Sequence, residues 1–423
     1  MSYVVLPLFL ILLTLGIPIY LALGVTGAAM FGSEGALLSF AQKIIDELNS
    51  TTLLAVPYFV IAATFMERGG VAQALIDAAE AWVGRLRGGL GLVSVLSCAI
   101  FAAMCGSSVA TAIAMGTILV PAMHKAGYSR SFAAGVVGSS GTLGILIPPS
   151  LAFVVYGVLA DVSIPRLFLA GVVPGLMQAV MLALYILWHS HHKGYATGEV
   201  MPRREKYRRS VAAIPALFVP VIVLGGLYGG IVTLTESAAL SAVVAMILSL
   251  FFYRGMKVRD TLPVLAEAVR NAAAIMIIIT MALAFGHWIT ESGVTTKVVQ
   301  LVTESDIEAW QFLMVMNIIL LILGMFLEVF TVLLLTVPIL IPLLQPLGID
   351  PIHFGVVMVI NMELALLTPP VGLNLFVIAN ISKTPLADVI RGTTPFMILM
   401  LGLLMLMTYV PSISLWLPKL LMG

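Results

Sequence analysis

Within a chain that is 61% hydrophobic and 10% charged, a few small polar and acidic residues stand where uninterrupted apolar sequence would be expected, and their types suit one chemistry. Gly106, Ser107, Ser108 and Thr111 form one group, and Gly138, Ser139, Ser140, Gly141 and Thr142 a second. Hard cations prefer hydroxyl and carbonyl oxygens, and unwound backbone with Ser and Thr supplies several of these without a fixed charge. Glu328 with Thr331, and Asn361, Met362 and Glu363 with Thr368, make a third and a fourth group. An acidic side chain at membrane depth is functional by default. The groups predict two oxygen-lined cation sites, the second including the Met362 carbonyl. Two other uses of the same residues stay open. Small residues allow close helix packing, and a buried glutamate can bond helix termini or pass a proton between Glu328 and Glu363.

The four groups are two copies of one pattern. At a fixed offset of 221 residues, without gaps, Met104 matches Met325, Ile118 Ile339, Leu119 Leu340, Pro121 Pro342, Gly127 Gly348, Val136 Val357 and Leu143 Leu364. The same offset places Pro148 and Pro149 on Pro369 and Pro370, Gly171 on Gly392, and Pro174 on Pro395. Ser140 falls on Asn361 and Thr142 on Glu363. An internal repeat with paired interruptions of hydrophobic segments marks the binding region of a secondary transporter. Pro148-Pro149 and Pro369-Pro370 remove amide donors and are expected to kink the span just after each unwound stretch.

The composition fixes the class. A soluble globule carries roughly 25% charged residues, so this 423-residue chain reads as an all-α polytopic membrane protein. Basic and acidic residues total 21 and 20, which gives no nucleic-acid footprint. The first apolar run, from Tyr3, is too long for a signal-peptide core and is read as a span. Segments long enough to cross the hydrocarbon lie near residues 3–31, 51–66, 131–157, 166–188, 211–230, 236–253, 271–290, 352–380 and 393–417. Residues 90–123 and 310–346 are too long for one crossing and carry polar groups near their middles. Each reads as a re-entrant hairpin, although charge parity alone equally allows two short crossings.

Arg85 and Arg87 precede the first hairpin, and Lys125 and Arg130 follow it. Both its ends therefore face the basic, cytoplasmic side. No Lys or Arg occurs from 298 to 382, a stretch holding Glu304, Asp306, Glu308 and Asp350, which puts the ends of the second hairpin outside. Five spans separate the hairpins, so the repeats are inverted, and the N-terminus is expected in the cytoplasm. The stretch His189–Ser210 reads as a cytoplasmic linker, and residues 32–50, with Glu34, Lys43, Asp46 and Glu47, as an interfacial helix. Pro121 and Pro342 are expected to close the hairpins, and Trp288, Trp310 and Trp416 to anchor span ends. Cys98 and Cys105 read as buried thiols. Nucleotide-binding, HExxH and CxxC patterns are missing, which argues against ATP-driven transport and against an enzyme; paired broken helices suit alternating access better than a channel.

The run Gly106-Ser107-Ser108-Val109-Ala110-Thr111-Ala112, with Pro121-Ala122-Met123, Gly127-Tyr128-Ser129, Phe132-Ala133-Ala134-Gly135 and Gly144-Ile145-Leu146-Ile147-Pro148-Pro149-Ser150, resembles the large membrane subunit, of DctM or SiaM type, of tripartite ATP-independent periplasmic transporters. The run Asn361 to Asn374, with Thr368-Pro369-Pro370-Val371-Gly372-Leu373-Asn374, is similar to a second signature of that family. Where family members often carry Pro after the paired serines, this chain has Val109. The resemblance covers essentially the whole chain. It implies an ion-transporter-superfamily elevator fold of the bacterial inner membrane, with two inverted repeats, each holding a re-entrant hairpin and a broken helix.

By that resemblance, one sodium site joins the tip at Ser107 and Ser108 to Gly138–Gly141, and another joins Glu328–Thr331 to Asn361–Glu363. It further implies a small four-helix membrane subunit of DctQ or SiaQ type and a periplasmic substrate-binding protein of DctP or SiaP type, with this chain as the unfused form. The substrate is then an organic acid, a C4-dicarboxylate or a sugar acid such as sialic acid, held near the midplane against Ser108, Thr142, Pro149, Ser150, Asn361, Pro370 and Asn374. The corresponding division of the chain is scaffold helices in 1–87, a first transport-domain repeat in 88–165, scaffold helices and linker in 166–270, a connecting span in 271–309, a second repeat in 310–388 and a C-terminal span in 389–423. The alternative is a symporter or antiporter of similar architecture, sodium- or proton-coupled, that needs no binding protein.

Overall fold

In the computed structural model the apolar stretches are helical, as they must be where only a helix can satisfy every backbone group within its own segment. The structure describes residues 7–9, 11–12, 15–33, 35–195, 197–198, 200–293, 299–300, 304 and 307–423. The start of the first predicted span at Tyr3, and Glu34 and Asp306, lie outside these residues.

Ahead of the first hairpin stand α1 (Ile19–Ser33), α2 (Leu37–Leu48), α3 (Ala55–Arg68) and α4 (Val71–Val83). The expected interfacial helix is α2, whose one buried residue, Phe40, stacks on Phe31 of α1 at 5.5 Å between ring centroids. That α4 is a separate helix was not legible in the apolar pattern. It leaves α3 at 65° through Gly69 and Gly70, and Gly70 takes φ +80°, a left-handed conformation that glycine enters without steric cost.

The first repeat comprises α5 (Gly89–Cys105), α6 (Ser108–Lys125), α7 (Arg130–Leu146), α8 (Leu151–Leu159) and α9 (Ile164–Lys193). The middle of the chain holds α10 (Arg203–Pro220), prolonged to Tyr228, α11 (Leu234–Ile247), prolonged to Phe252, and α12 (Thr261–Glu291). The second repeat comprises α13 (Ala309–Phe326), α14 (Val329–Leu344), α15 (Pro351–Ala365), α16 (Leu373–Ser382) and α17 (Leu386–Tyr409), and α18 (Ser412–Met422) ends the chain. Every element of the second repeat starts within one residue of the position that the 221-residue offset predicts from the first. Local chemistry follows the same rule: Ser107 and Glu328 are equivalent N-caps, as are Ser129 and Asp350. The Pro148-Pro149 and Pro369-Pro370 bonds are both cis.

The repeats interlock. Hairpin arm α6 packs on α16 of the other repeat, and arm α14 packs on α8. Tyr156 of α8 donates its hydroxyl to Pro351 O at the head of α15 at 2.6 Å. Contacts also sort the two ends of the molecule. One end gathers Arg87 with His191 at 3.4 Å, Arg209 with Glu80 at 2.7 Å and Arg68 with Glu267 at 2.8 Å. The other gathers Thr51 with Thr235 and His287 with Glu47 at 3.0 Å. This agrees with the positive residues marking one face.

Hairpin tips meet breaks, which resolves the question that charge parity left open. A Cβ at Gly106 would sit 2.9 Å from Leu151 N and 3.0 Å from Pro149 O. In the second repeat the Gly372 N–H donates to Met325 O at 3.3 Å. Each hairpin thus stops at the mid-span break of its own repeat and is re-entrant.

Several expectations are corrected. The linker shrinks to Gly194–Pro202, because α9 continues to Lys193 and α10 begins at Arg203. The predicted last span is interrupted at Val410 and Pro411. Pro121 and Pro342 lie inside α6 and α14 rather than at their ends. Trp288 is 3% exposed and is a core residue, whereas Trp310 and Trp416 are exposed as anchors should be.

Candidate cation and substrate site

The first site is built around the turn between α5 and α6. Gly106 ends α5 at φ +61°, and Ser107, in extended conformation, caps α6 by accepting the Ala110 N–H at 3.4 Å. Thr111 Oγ1 donates to Ser107 O at 2.7 Å, so the Thr111 hydroxyl proton is spent on the turn itself. Across from it, α7 approaches so closely that a Cβ at Gly144 would lie 2.6 Å from Ser107 O and one at Gly141 3.1 Å from Ala112 Cβ. Ser108 is buried.

The expected unwinding at Gly138–Gly141 is not found. Helix α7 runs through all four residues to Leu146, and the break falls at Ile147–Ser150. Two consecutive prolines lack donors, and the residue before a proline is pushed out of the α region; Ile147 is accordingly extended at φ −77°, ψ 124°. Glycines inside α7 cost helix propensity, but they admit the neighbouring backbone, so packing retains the helix. The oxygens available there are consequently hydroxyls, and Ser139 Oγ and Ser140 Oγ are both buried without a partner among the described residues. Ser150 caps α8 and donates to Ile145 O at 2.5 Å, bridging the break beside Pro149.

The second site repeats the plan with different side chains. Glu328 caps α14, its carboxylate accepting the Phe330 N–H at 3.0 Å, an arrangement in which an acid complements the partial positive charge of a helix start. Glu328 is exposed and Thr331 buried, and among the described residues no hydrogen bond joins Glu328 to Glu363. As in the first repeat, Asn361, Met362 and Glu363 lie within continuous helix rather than at the break, which spans Leu366–Gly372. The Met362 carbonyl accepts the Leu366 N–H at 3.0 Å and so serves the helix end. Thr368 Oγ1 donates to Leu364 O at 2.7 Å. Beyond Pro370, Asn374 near the start of α16 is fully buried with both amide atoms unpartnered among the described residues.

Asn361 is the most rigidly held of these groups. Its Nδ2 donates to Asn317 Oδ1 of α13 at 2.6 Å and to Val357 O at 3.2 Å. Asn317 Nδ2 in turn donates to Thr408 Oγ1 of α17 at 2.9 Å, and the Thr408 hydroxyl donates to Leu404 O at 2.7 Å. Each nitrogen in this chain faces an oxygen that can only accept, so the amide orientation is determined, and Asn361 Oδ1 is left as a buried oxygen without a partner among the described residues. Asn317 and Thr408 were not singled out from the sequence. The signal was present, since amides are rare at membrane depth and seek a partner, but neither belongs to the repeated groups.

Gln178 of α9 was missed in the same way. It is 1% exposed, and its Nε2 donates to Thr142 Oγ1 at 3.2 Å. It also approaches the Glu363 carboxyl as a hydrogen-bond donor, although neither carboxyl oxygen has a partner at strict hydrogen-bond geometry among the described residues. Glu363 is the one Asp or Glu among those residues whose side chain is fully enclosed. Unpartnered buried polar atoms are costly, and here Ser139, Ser140, Gln178, Asn361, Glu363 and Asn374 each carry one or two, all oxygens but for the Asn374 amide nitrogen. Such a donor set fits hard cations and a hydrogen-bonding anion. It does not fit a transition metal, since no cluster of three His, Cys, Asp or Glu occurs among the described residues.

Relatives with described roles are similar to this chain in sequence over most of its length. A protein of Pseudomonas aeruginosa described as the C4-dicarboxylate TRAP transporter large permease protein DctM is 42% identical over 400 residues, covering 94% of each chain. The isethionate TRAP transporter permease protein DctMQ of Oleidesulfovibrio alaskensis is 38% identical over 412 residues, which cover 96% of this chain and 65% of that one. Among solved structures, the YdaH transporter of Alcanivorax borkumensis has a TM-score of 0.64 at 14% identity, over 89% of each chain, a likeness of fold alone. Residues 6–413 match the model of the tripartite ATP-independent periplasmic transporter DctM component, and the chain belongs to that family of multi-pass membrane transporters.

Proposed function

We propose that this chain is the large membrane subunit of a sodium-driven transporter of the bacterial inner membrane, importing a small organic anion delivered by a periplasmic binding protein. Sodium occupies two sites: one joins Gly106, Ser107, Ser108 and Thr111 to the Gly138–Gly141 face of α7, the other joins Glu328 and Thr331 to Asn361, Met362, Glu363 and Thr368. The observation that carries this reading is the recurrence of buried oxygens without partners at repeat-equivalent positions, Ser140 Oγ and Asn361 Oδ1, each beside a hairpin whose tip touches its break.

The substrate lies between those sites. Among the described residues no Lys or Arg is buried, so an anion must be held by backbone N–H groups at helix starts, by hydroxyls and amides, and by the bound cations. The start of α8, just past Pro148-Pro149, offers such N–H groups, whereas at the start of α16 the Asn374 and Leu375 N–H groups are taken by Leu366 O and Gly372 O; Ser108, Thr142, Pro149, Ser150, Asn361, Pro370 and Asn374 supply the remaining surroundings. A C4-dicarboxylate is favoured by the DctM relative, with sialic acid and related sugar acids as the competing class. A small membrane subunit of DctQ type completes the system, consistent with a relative described as DctMQ. Uptake proceeds as an elevator, the two hairpins and broken helices moving together against the other helices.

The test is uptake of labelled succinate and sialic acid into proteoliposomes, with and without the small subunit, the binding protein and an inward sodium gradient. Uptake that requires all three is the expected result. Uptake by this chain alone, or driven by protons without sodium, would replace the proposal with a binding-protein-independent symporter or antiporter.

A further inference from the structure

At the basic end of the molecule, outside the hairpin sites, a cleft of about 270 Å³ lies between α7, α9 and α17. It is lined by Ser129 and Phe132, by Tyr185, His189 and Lys193, and by Arg391. The Ser131 hydroxyl donates to Asp388 O at 2.6 Å and so ties the start of α17 to the start of α7. Stacked rings stiffen the walls, Phe132 lying 4.1 Å from His189 and Tyr128 4.3 Å from Tyr195 between centroids.

The charge around this cleft favours an anion. Lys193 has no ion pair among the described residues. Arg391 meets Asp388 only at 3.7 Å, between two exposed side chains, a pair worth little. At the start of α7, Ser129 accepts the Phe132 N–H, and the Arg130 and Ser131 N–H groups have no intrahelical acceptor. The carbonyls ending α9, which would repel an anion, are closed off, Ser190 O accepting from Tyr195 N and His191 O from Gly194 N. The repeat relation sets the cleft apart. At the 221-residue offset Ser129, Phe132, His189 and Lys193 fall on Asp350, His353, Val410 and Ser414, and Arg391 on Ala170. There His353 Nδ1 and Ser414 Oγ bond each other at 2.8 Å, with neither Lys nor Arg among the equivalents.

The neighbouring surface decides the kind of anion. Exposed apolar side chains continue from the cleft along both bordering helices, Trp188, Leu184 and Val180 on α9 and Ile398 and Leu401 on α17. The two helices touch through Tyr185 and Phe396, edge to face at 4.9 Å. Cations at the mouth of a membrane-facing apolar seam suit a phosphate that carries acyl chains. We propose that this cleft binds the headgroup of one anionic phospholipid, whose chains lie along α9 and α17.

The test titrates dioleoylphosphatidylglycerol onto the full-length chain in detergent, read by native mass spectrometry, with dioleoylphosphatidylcholine and inorganic phosphate as separate arms. The native chain is compared with a Lys193→Gln, Arg391→Gln variant and with Arg203→Gln, Arg204→Gln, which removes the same charge from exposed residues at the start of α10. The first phosphatidylglycerol should bind the native chain and the α10 variant equally, and the cleft variant at least about tenfold more weakly, while phosphatidylcholine binds all three alike. Equal loss in both variants, or no loss in either, would reduce the effect to general surface charge and overturn the site. Inorganic phosphate that displaces the lipid at equal concentration would make this a site for a soluble anion and overturn the lipid. Lys193 and Arg391 are exposed, and thermal unfolding of the cleft variant should match the native chain; if that variant is not recovered folded, Lys193→Gln alone carries the comparison.

Discussion

Asn361 shows how little freedom a candidate ligand has when its partners are fixed. Its amide hydrogens are committed to Asn317 and Val357, so its oxygen remains a buried acceptor without a partner among the described residues. Replacing Thr408 with Val removes the acceptor for Asn317 Nδ2 and strands a buried donor, at about 1–3 kcal/mol. Thermal unfolding in choline should fall accordingly. The sodium concentration for half-maximal uptake should also rise about tenfold, which corresponds to 1.4 kcal/mol at the site. A fall in stability with unchanged sodium dependence would reduce Asn317 and Thr408 to packing. Ser140→Leu and Asn361→Leu fill the two sites with hydrocarbon. Both are expected to abolish uptake while the protein stays folded and membrane-inserted, and uptake that persists in either would remove that residue from its site.

Among the elements, the proline pairs and the glycines have opposite consequences, and the sequence alone confounded them. Read as composition, Gly138-Ser139-Ser140-Gly141 resembles unwound backbone. In the fold it is a continuous helix: α6 approaches closely at Gly141, where a Cβ would lie 3.1 Å from Ala112 Cβ, Gly138 is in ordinary contact with α16 and α17, and the true break is set by Pro148 and Pro149. Repeat order, hairpins, inverted topology and the interfacial helix α2 were legible, since apolar length, paired interruptions and charge placement encode them directly. The separate helix α4 and the partners Asn317, Gln178 and Thr408 were not. These depend on which helices become neighbours, which a period or an offset does not state. Close approach is sharpest where α7 crosses α17: a Cβ at Gly135 would run into Gly392 O, and one at Gly392 into Ser131 O. Gly135→Val should therefore lower stability by at least about 1–3 kcal/mol through overpacking. Gly402→Ala on the same α17, where nothing lies within 4 Å, should be neutral or slightly stabilising by helix propensity. Equal melting temperatures for the two variants in detergent would contradict the crossing.

For the whole molecule, inverted repeats put one hairpin on the basic end and the other on the opposite end, each stopping at mid-span. On the proposed elevator reading this body exposes its centre to either side by displacement relative to the remaining helices; at the acidic end the two meet closely at Gly286, where a Cβ would lie 3.2 Å from Pro338 Cβ, beside open space. There a cleft of about 240 Å³ is lined by Asp161, at the turn after α8, by Gly286 and His287 of α12, and by Pro338 and Pro342 of α14. Asp161 belongs to the proposed moving body and His287 to the span joining the two halves. His287 is bound to Glu47 only through a half-exposed pair, a contact worth roughly 0–1 kcal/mol, so substitution there is tolerable. In a chain with Cys98 and Cys105 replaced by Ala, Asp161→Cys and His287→Cys together should support uptake when reduced. Cross-linking the pair with a short bifunctional maleimide should stop uptake, and sodium binding should survive because the ion sites lie elsewhere. Full uptake by quantitatively cross-linked protein would show that these elements do not move apart during transport, and the elevator would have to give way to a mechanism confined to the hairpin tips.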